Sequence, residues 1–86
     1  MNINQLIAIL KNKLEESLNI QKLKIEDKSF LHKNHPGNQN GKFHLKITIE
    51  STELKKFNKI EANKKIYKIL DKEIKNHIHS IQLLIR

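Results

Sequence analysis

Histidines are the residues of this chain whose chemistry stands out. The 86-residue sequence contains five histidines but no cysteine and no tryptophan. Neutral imidazole nitrogens bind iron, zinc and copper, whereas a chain without cysteine can form neither a disulfide nor its own thiolate-ligated metal site. Any metal bound by this chain would therefore be held by histidine or carboxylate. Each histidine taken singly is also compatible with an ordinary solvated side chain.

The histidines fall into two groups along the sequence. His32, His35 and His44 lie in or beside a segment that contains the proline and both glycines, while His77 and His79 lie at the start of an apolar segment near residue 80. No local metal motif, such as a helical HExxH, joins the two groups. They can meet in space only if the last apolar segment lies beside the end of the sheet from which the proline-containing loop emerges.

Other residue types offer little for catalysis. The serines at positions 29, 51 and 80 lack a nucleophile-elbow sequence, and the glycine-containing segment 36–41 lacks the lysine and hydroxyl of a phosphate-binding loop. Carboxylates such as Asp71 and Glu73 are expected on helical surfaces. A chain of this length has little spare stability for a deep enclosed pocket. We therefore expect one non-enzymatic domain spanning residues 1–86.

Hydrophobic periodicity predicts the elements that position the histidines. A first helix ends near Asn19, because apolar residues recur at spacings of three and four while Lys13 and its charged neighbours face water. Alternation predicts a strand around Leu23 and Ile25, and a second strand over 43–50 after a long loop at 28–41. The apolar positions of the first helix are Ile3, Leu6, Ile7, Leu10, Leu14 and Leu18.

The second half of the chain predicts one further helix and one further strand. A helix over 59–75 follows Asn58, which with Glu61 three residues later resembles a capping box with asparagine in place of the more usual serine or threonine. The last segment, 78–85, is rich in isoleucine and leucine and is predicted to be a strand buried on both faces. The predicted fold class is α+β in the order α-β-β-α-β, with a mixed three-stranded sheet and the helices on one face. Type II KH-like nucleic-acid domains share this arrangement.

The charge of the chain favours acidic partners. Seventeen basic residues against nine acidic ones give a net charge of +8, which suits nucleic acid or an acidic protein. A composition rich in lysine, asparagine and isoleucine would raise the charge without any basic site. No GxxG tetrad of the KH type is present, and no segment suggests a membrane span or leader, so we expect a cytoplasmic protein. The candidate nucleic-acid or partner-binding residues are Lys59, Lys64, Lys65 and Lys68.

Several segments together resemble the BolA family. Residues 29–32 read Ser-Phe-Leu-His, a proline and glycine loop follows, and residues 43–51 read Phe-His-Leu-Lys-Ile-Thr-Ile-Glu-Ser. Tyr67 then lies in the second predicted helix, and residues 78–81 read Ile-His-Ser-Ile. These segments occur in the family's order and at similar spacings across nearly the whole chain. The resemblance implies the same α-β-β-α-β fold.

The resemblance also implies a partner and a cofactor. BolA-like proteins pair with monothiol glutaredoxins in iron–sulfur cluster assembly, trafficking or iron sensing. In that picture His79 and His32 hold one iron of a shared 2Fe-2S cluster, while a glutaredoxin cysteine and glutathione hold the other. His35 and His44 are second candidates, His44 matching the family's strand histidine. One departure is that residues 62–64 read Ala-Asn-Lys where many members have Arg-His-Arg, which puts contacts through that motif in doubt.

Two other functions remain open on the sequence. Some family members are described as transcriptional regulators, so a DNA- or RNA-binding role through the lysine-rich second helix is the main alternative. A third interpretation is a scaffold that binds the glutaredoxin without metal.

Overall fold

The structure, a computed structural model, describes residues 2–29 and 42–86, and most of the predicted loop at 28–41 lies outside these ranges. The described residues confirm the predicted α+β class. None of the helices in these ranges is long and apolar enough to cross a membrane. The elements in chain order are α1 (Ile3–Ser17), β1 (Lys22–Asp27), β2 (Phe43–Glu50), a short 3-10 helix (Leu54–Lys56), α2 (Lys59–Ile69), α3 (Asp71–His77) and β3 (Ile78–Ile85).

The three strands form one mixed sheet in the order β1-β2-β3. Strands β1 and β2 are antiparallel, with Lys22 opposite Glu50 and Asp27 opposite Leu45. Strands β2 and β3 are parallel, because the chain returns through α2 and α3 before β3 begins. This is the sheet that the sequence predicts, and it places the start of β3 beside the start of β2.

One face of the sheet and the apolar stripes of the helices make the core. In β2 alternate residues point toward the helices, and in α1 every third or fourth residue does so. The fully buried large side chains are supplied by both layers and include Leu6, Leu10, Leu14, Ile47, Ile49, Leu54, Ile66 and Leu70. The opposite sheet face, here called the open face, carries mainly polar side chains.

The prediction that β3 is buried on both faces is wrong. Ile78 is buried, but residues 79 and 80 are exposed and burial then alternates to the end of the strand. Leu84 keeps 38% of its surface exposed. The reason is that β3 lies at an edge of the sheet and the helices cover only one face, so a run of apolar residues does not prove burial on both faces.

The predicted single helix over 59–75 is divided into α2 and α3. At Leu70 the backbone has φ −100° and ψ 13°, which departs from helical values and ends α2. Leu70 itself is fully buried, so the core fixes the break. One half of the predicted capping box is confirmed, because the Asn58 side chain accepts a hydrogen bond from the Glu61 N–H at 2.8 Å. The Glu61 carboxylate accepts from the Asn58 side-chain amide at 3.2 Å.

The prediction that Glu73 lies on a helical surface is wrong, and Lys13, which the sequence predicts to face water, keeps 36% of its side chain exposed. Glu73 is buried, and both of its carboxylate oxygens accept hydrogen bonds from the Lys13 ammonium, at 2.8 and 2.6 Å. A buried carboxylate needs such a partner, because removing it from water unpaired is unfavourable. The ion pair joins α1 to α3, the helix that leads directly into β3.

Candidate functional site

The ends of all three strands meet at one end of the sheet. Strand β1 ends there, β2 begins there at Phe43, and β3 begins there at Ile78, opposite Phe43. Just beyond β1, the Lys28 N–H donates a hydrogen bond to the His44 carbonyl at 2.7 Å. The described chain leaves β1 toward the predicted loop at this point. The sheet therefore brings the loop start, the strand histidine and the first residues of β3 together.

An irregularity in the β2–β3 pairing positions His79. Phe43 lies opposite Ile78 and His44 lies opposite Ser80, so His79 has no residue directly across from it in β2. Such a β-bulge inserts one extra residue and redirects the side chains beside it. His79 and Ser80 are consequently both exposed, whereas a regular strand would place them on opposite faces. The bulge thus presents an accessible imidazole at the start of the strand.

His44 lies beside this exposed histidine and is itself almost fully buried, with 5% of its surface exposed. The centroids of the His44 and His79 rings are 4.7 Å apart, and the ring planes are inclined by 49°. The His44 Nδ1 atom is 2.7 Å from the Ser80 hydroxyl oxygen and forms a hydrogen bond with it. This bond fixes the orientation of the His44 ring against the first residues of β3.

Ser29 connects the same cluster to β1. Its hydroxyl oxygen accepts a hydrogen bond from the His44 N–H at 3.0 Å, and its own N–H donates to the Asp27 carboxylate at 2.9 Å. The side chain of an aspartate bonded to the backbone two residues later is a typical turn-forming contact. We call Ser29, His44, His79 and Ser80 the histidine cluster.

The surroundings of the histidine cluster are positively charged. Lys28 and Lys46 line a shallow cavity of about 260 Å³ together with His44 and Ser80. Two acidic residues of β1 lie nearby: the Asp27 carboxylate accepts from the Ser29 N–H, and the Glu26 carboxylate lies 3.4 Å from the Lys28 ammonium and 3.7 Å from that of Lys24. Partial desolvation would raise the pKa of Glu26, but the positive charges of Lys24, Lys28 and Lys46 outweigh it and lower that pKa.

The structure brings together two of the four histidines that the sequence singles out as ligands. His44 and His79 are in ring contact, while His32 and His35 lie outside the described residues. Within 2–29 and 42–86 there is no group of three or more histidine, cysteine, aspartate or glutamate side chains placed to hold a metal ion.

The four candidate lysines are all exposed on α2 but do not face one direction. Lys59 lines a groove beside the end of β3, whereas Lys65 and Lys68 line a depression beside the end of α1. The Lys65 ammonium lies 4.8 Å from the centre of the Phe57 ring, a distance at which cation–π attraction operates. In the segment 62–64, where the sequence reads Ala-Asn-Lys in place of Arg-His-Arg, Ala62 is buried and Lys64 is exposed.

Sequence reasoning missed two features of this site. The hydrogen bonds of Ser29 and Ser80 to His44 were not foreseen, although the alternation in β2 places His44 on the open face. The bulge at His79 was also missed, because it depends on the register between two strands that are far apart in the sequence. The pair of adjacent polar residues, His79 and Ser80, inside an apolar strand is the signal that could have indicated it.

Fold and site together define a small α+β protein with histidines at the end of a mixed sheet, and comparisons with known proteins identify its family. A family model described as BolA-like protein matches residues 14–86. The chain is also 30% identical over 83 residues to the "DNA-binding transcriptional regulator BolA" of Haemophilus influenzae, covering 96% of this chain and 75% of that protein. This chain belongs to the BolA family.

Solved structures show the same fold. The BolA domain of SufE1 from Arabidopsis thaliana superposes with a TM-score of 0.77 at 24% identity, covering 92% of this chain and 87% of that one. BolA1 from Arabidopsis thaliana gives a TM-score of 0.76 at 23% identity, with the same coverage of 92% and 87%.

Proposed function

We propose that this chain is a non-enzymatic partner of a monothiol glutaredoxin and shares a 2Fe-2S cluster with it through histidine. Membership of the BolA family supports this class of partner. The observation that carries the proposal is the position of His79, exposed on a β-bulge and in ring contact with His44. An exposed imidazole held by a rigid strand can reach a metal that a second protein presents.

The donor set of the chain fits a shared cluster. Such a cluster requires only two protein ligands from this side, because the partner cysteine and glutathione supply the others. His79 is the first proposed ligand. His32 is the second proposed ligand. It follows Ser29 by three residues in the sequence, and the Ser29 hydroxyl is hydrogen-bonded to the His44 N–H. The described start of the loop thus lies in the same cluster as His79, which supports pairing these two histidines. His35 and His44 remain the second candidates.

Histidine ligation would give the cluster a distinct electronic character. Neutral imidazoles replace two negatively charged thiolates on one iron, which raises the reduction potential as in Rieske centres. Lys28 and Lys46 beside the histidine cluster would also raise the reduction potential, because nearby positive charge favours the reduced cluster, which is the more negative form. This chain would therefore tune a cluster that it does not hold alone.

Mixing the protein with a cluster-loaded monothiol glutaredoxin and glutathione tests the proposal. Visible absorption and circular dichroism should change on mixing, and His79→Ala or His32→Ala should abolish the new spectrum. His77→Ala, two residues before His79 and at the end of α3, is the matched control and should leave the spectrum intact. A glutaredoxin spectrum that stays unchanged at saturating protein would refute the proposal. Association without a spectral change would instead support the scaffold interpretation.

A second candidate function is DNA binding. The Haemophilus influenzae relative is named a DNA-binding transcriptional regulator, and exposed lysines project from α2 in this chain. If these lysines contact phosphates, affinity for duplex DNA should fall steeply with salt. Lys64→Gln with Lys68→Gln should then reduce the salt slope by about one for each lysine that neutralises a phosphate, whereas His79→Ala should leave DNA affinity unchanged.

A further inference from the structure

Strand β3 has an outer edge with which no described strand pairs. The Arg86 N–H donates to the Ile49 carbonyl at 2.8 Å, and the Arg86 carbonyl accepts from the Ser51 N–H at 3.3 Å. In a strand of a parallel pair, the N–H and C=O groups of one residue both point toward the same neighbouring strand. The groups of the next residue both point to the opposite side. Even-numbered residues therefore bond toward β2. The residues that direct their N–H and C=O groups outward, here called the outer-edge residues, are Ile81, Leu83 and Ile85.

The two edges of the sheet are protected very differently. Strand β1 has six residues, of which four are charged: Lys22, Lys24, Glu26 and Asp27. Strand β3 has eight residues, Ile-His-Ser-Ile-Gln-Leu-Leu-Ile, and none of them is lysine, arginine, aspartate or glutamate. Edge strands usually carry charged side chains that prevent pairing with other chains. The β1 edge has this protection and the β3 edge lacks it, which indicates that the β3 edge is covered in a complex.

Apolar surface and a cation accompany the unpaired edge. Leu84 is 38% exposed on the open face. On the helical side, Lys59 and Asn63 of α2 and residues 83–85 of β3 line a groove of about 110 Å³. An added strand would find main-chain partners along the edge, an apolar contact at Leu84 and a positive charge at Lys59. This combination is what recognition by strand addition uses.

Charge decides between a second copy of the chain and a different protein. Arg86 directly follows the last residue of β3, Lys59 lines the groove beside residues 83–85, and the whole chain carries +8. Pairing of two identical β3 edges would bring together two chains of net charge +8, each with Lys59 and Arg86 flanking its edge, so self-pairing is unfavourable. An acidic segment complements this edge instead.

We infer that an extended acidic segment of the glutaredoxin partner pairs with the outer edge of β3. The inference rests on the proposed function for the identity of the partner. It adds where that partner docks: β3 starts with the bulge at His79, so a strand added along this edge passes the exposed imidazole. Docking on β3 would thus place the partner next to its proposed metal ligand.

Amide hydrogen exchange measured by NMR tests this docking, with the glutaredoxin in its cluster-free form. In the free protein the outer-edge amides should exchange faster than those of Gln82 and Leu84, which point toward β2. Saturating cluster-free glutaredoxin should slow the outer-edge amides at least tenfold and leave the other two almost unchanged. Bound glutaredoxin without this slowing would overturn the inference. Slowing that grows with concentration in the protein alone would also overturn it, because it would indicate self-pairing.

Two variants at Leu83 provide an independent test. Leu83→Pro removes an outward N–H, and proline is tolerated at such edge positions. Leu83→Ala removes the same partly buried side chain but keeps the N–H, so it controls for the change in packing. The proline variant should bind cluster-free glutaredoxin about fivefold to tenfold more weakly than the alanine variant, as expected for one main-chain hydrogen bond. Equal affinities would contradict strand pairing. If the proline variant does not fold, the exchange measurement on the unchanged sequence decides.

The failures of the two proposals are distinguishable. A shared cluster that forms without protection of the outer-edge amides would refute only the docking site. Protected amides with no cluster spectrum would refute only the cluster-sharing function.

Discussion

His44 and His79 lie in ring contact at the start of neighbouring parallel strands, with centroids 4.7 Å apart, yet one is buried and the other exposed. The difference arises from the bulge, which leaves His79 without an opposite residue in β2. His44 is instead held by the hydroxyls of Ser29 and Ser80. The pair therefore combines a fixed ring with an accessible one, which is why the proposed function names His79 as the first metal ligand and keeps His44 as a second candidate.

The first prediction concerns Ser80, whose hydroxyl bonds to His44 Nδ1. Ser80→Ala should lower the free energy of unfolding by about 0.5–1.5 kcal/mol, the usual net contribution of one such hydrogen bond. It should also shift the His44 ring nitrogen resonances in NMR. Because His79 is retained, the shared cluster should still form, with an altered circular dichroism spectrum. Complete loss of the cluster would contradict a purely orienting role for this hydrogen bond.

The second prediction concerns the ion pair between Lys13 and Glu73. Glu73→Gln removes the charge that the Lys13 ammonium contacts at 2.6 and 2.8 Å. Breaking a fully buried pair costs about 3–5 kcal/mol, but Lys13 keeps 36% of its side chain exposed, so we expect about 1–3 kcal/mol in urea unfolding. The control is Asp71→Asn, which breaks the exposed pair with Lys75 and should cost no more than about 0.5 kcal/mol. Equal effects would show that burial of Glu73 is unimportant.

The third prediction concerns pH. Although partial desolvation opposes it, the charges of Lys24, Lys28 and Lys46 lower the pKa of Glu26 in the folded protein. A carboxylate with a lowered pKa stabilises the fold above its unfolded-state pKa, and that contribution disappears as the pH falls through the folded-state pKa. An NMR titration should place the Glu26 pKa below its ordinary value, and Lys28→Gln or added salt should raise it. A Glu26 pKa that responds neither to Lys28→Gln nor to added salt would show that the lysine charges do not lower it.

Much of the fold could be predicted because local periodicity determines it. The stripe from Leu6 to Leu14 predicts α1, and the alternation from Phe43 to Ile49 predicts β2, since both patterns reflect a single covered face. For β3 the same reasoning was wrong about burial. A run of apolar residues does not reveal whether a second layer covers the other side, and here no described helix or strand lies over Leu84.

The site could be predicted only in part, because its key contacts join distant residues. The family resemblance indicated His79, but the bulge that exposes it depends on the register between β2 and β3. Lys13 and Glu73 are 60 residues apart in the sequence. Each of them lies outside the apolar stripe of its own helix, so the sequence predicts a surface charge at both positions. The break at Leu70 likewise follows from packing in the core, since the sequence around it contains no proline or glycine.

The most direct test of the central claim asks whether a nitrogen atom of this chain binds the iron. We would label only this protein with ¹⁵N, form the complex with unlabelled cluster-loaded glutaredoxin and glutathione, reduce it, and record pulsed electron paramagnetic resonance spectra. The account predicts a ¹⁵N hyperfine coupling in the wild type and in His77→Ala that is absent in His79→Ala. A reduced cluster without ¹⁵N coupling, or with a coupling that is unchanged in His79→Ala, would contradict ligation by His79.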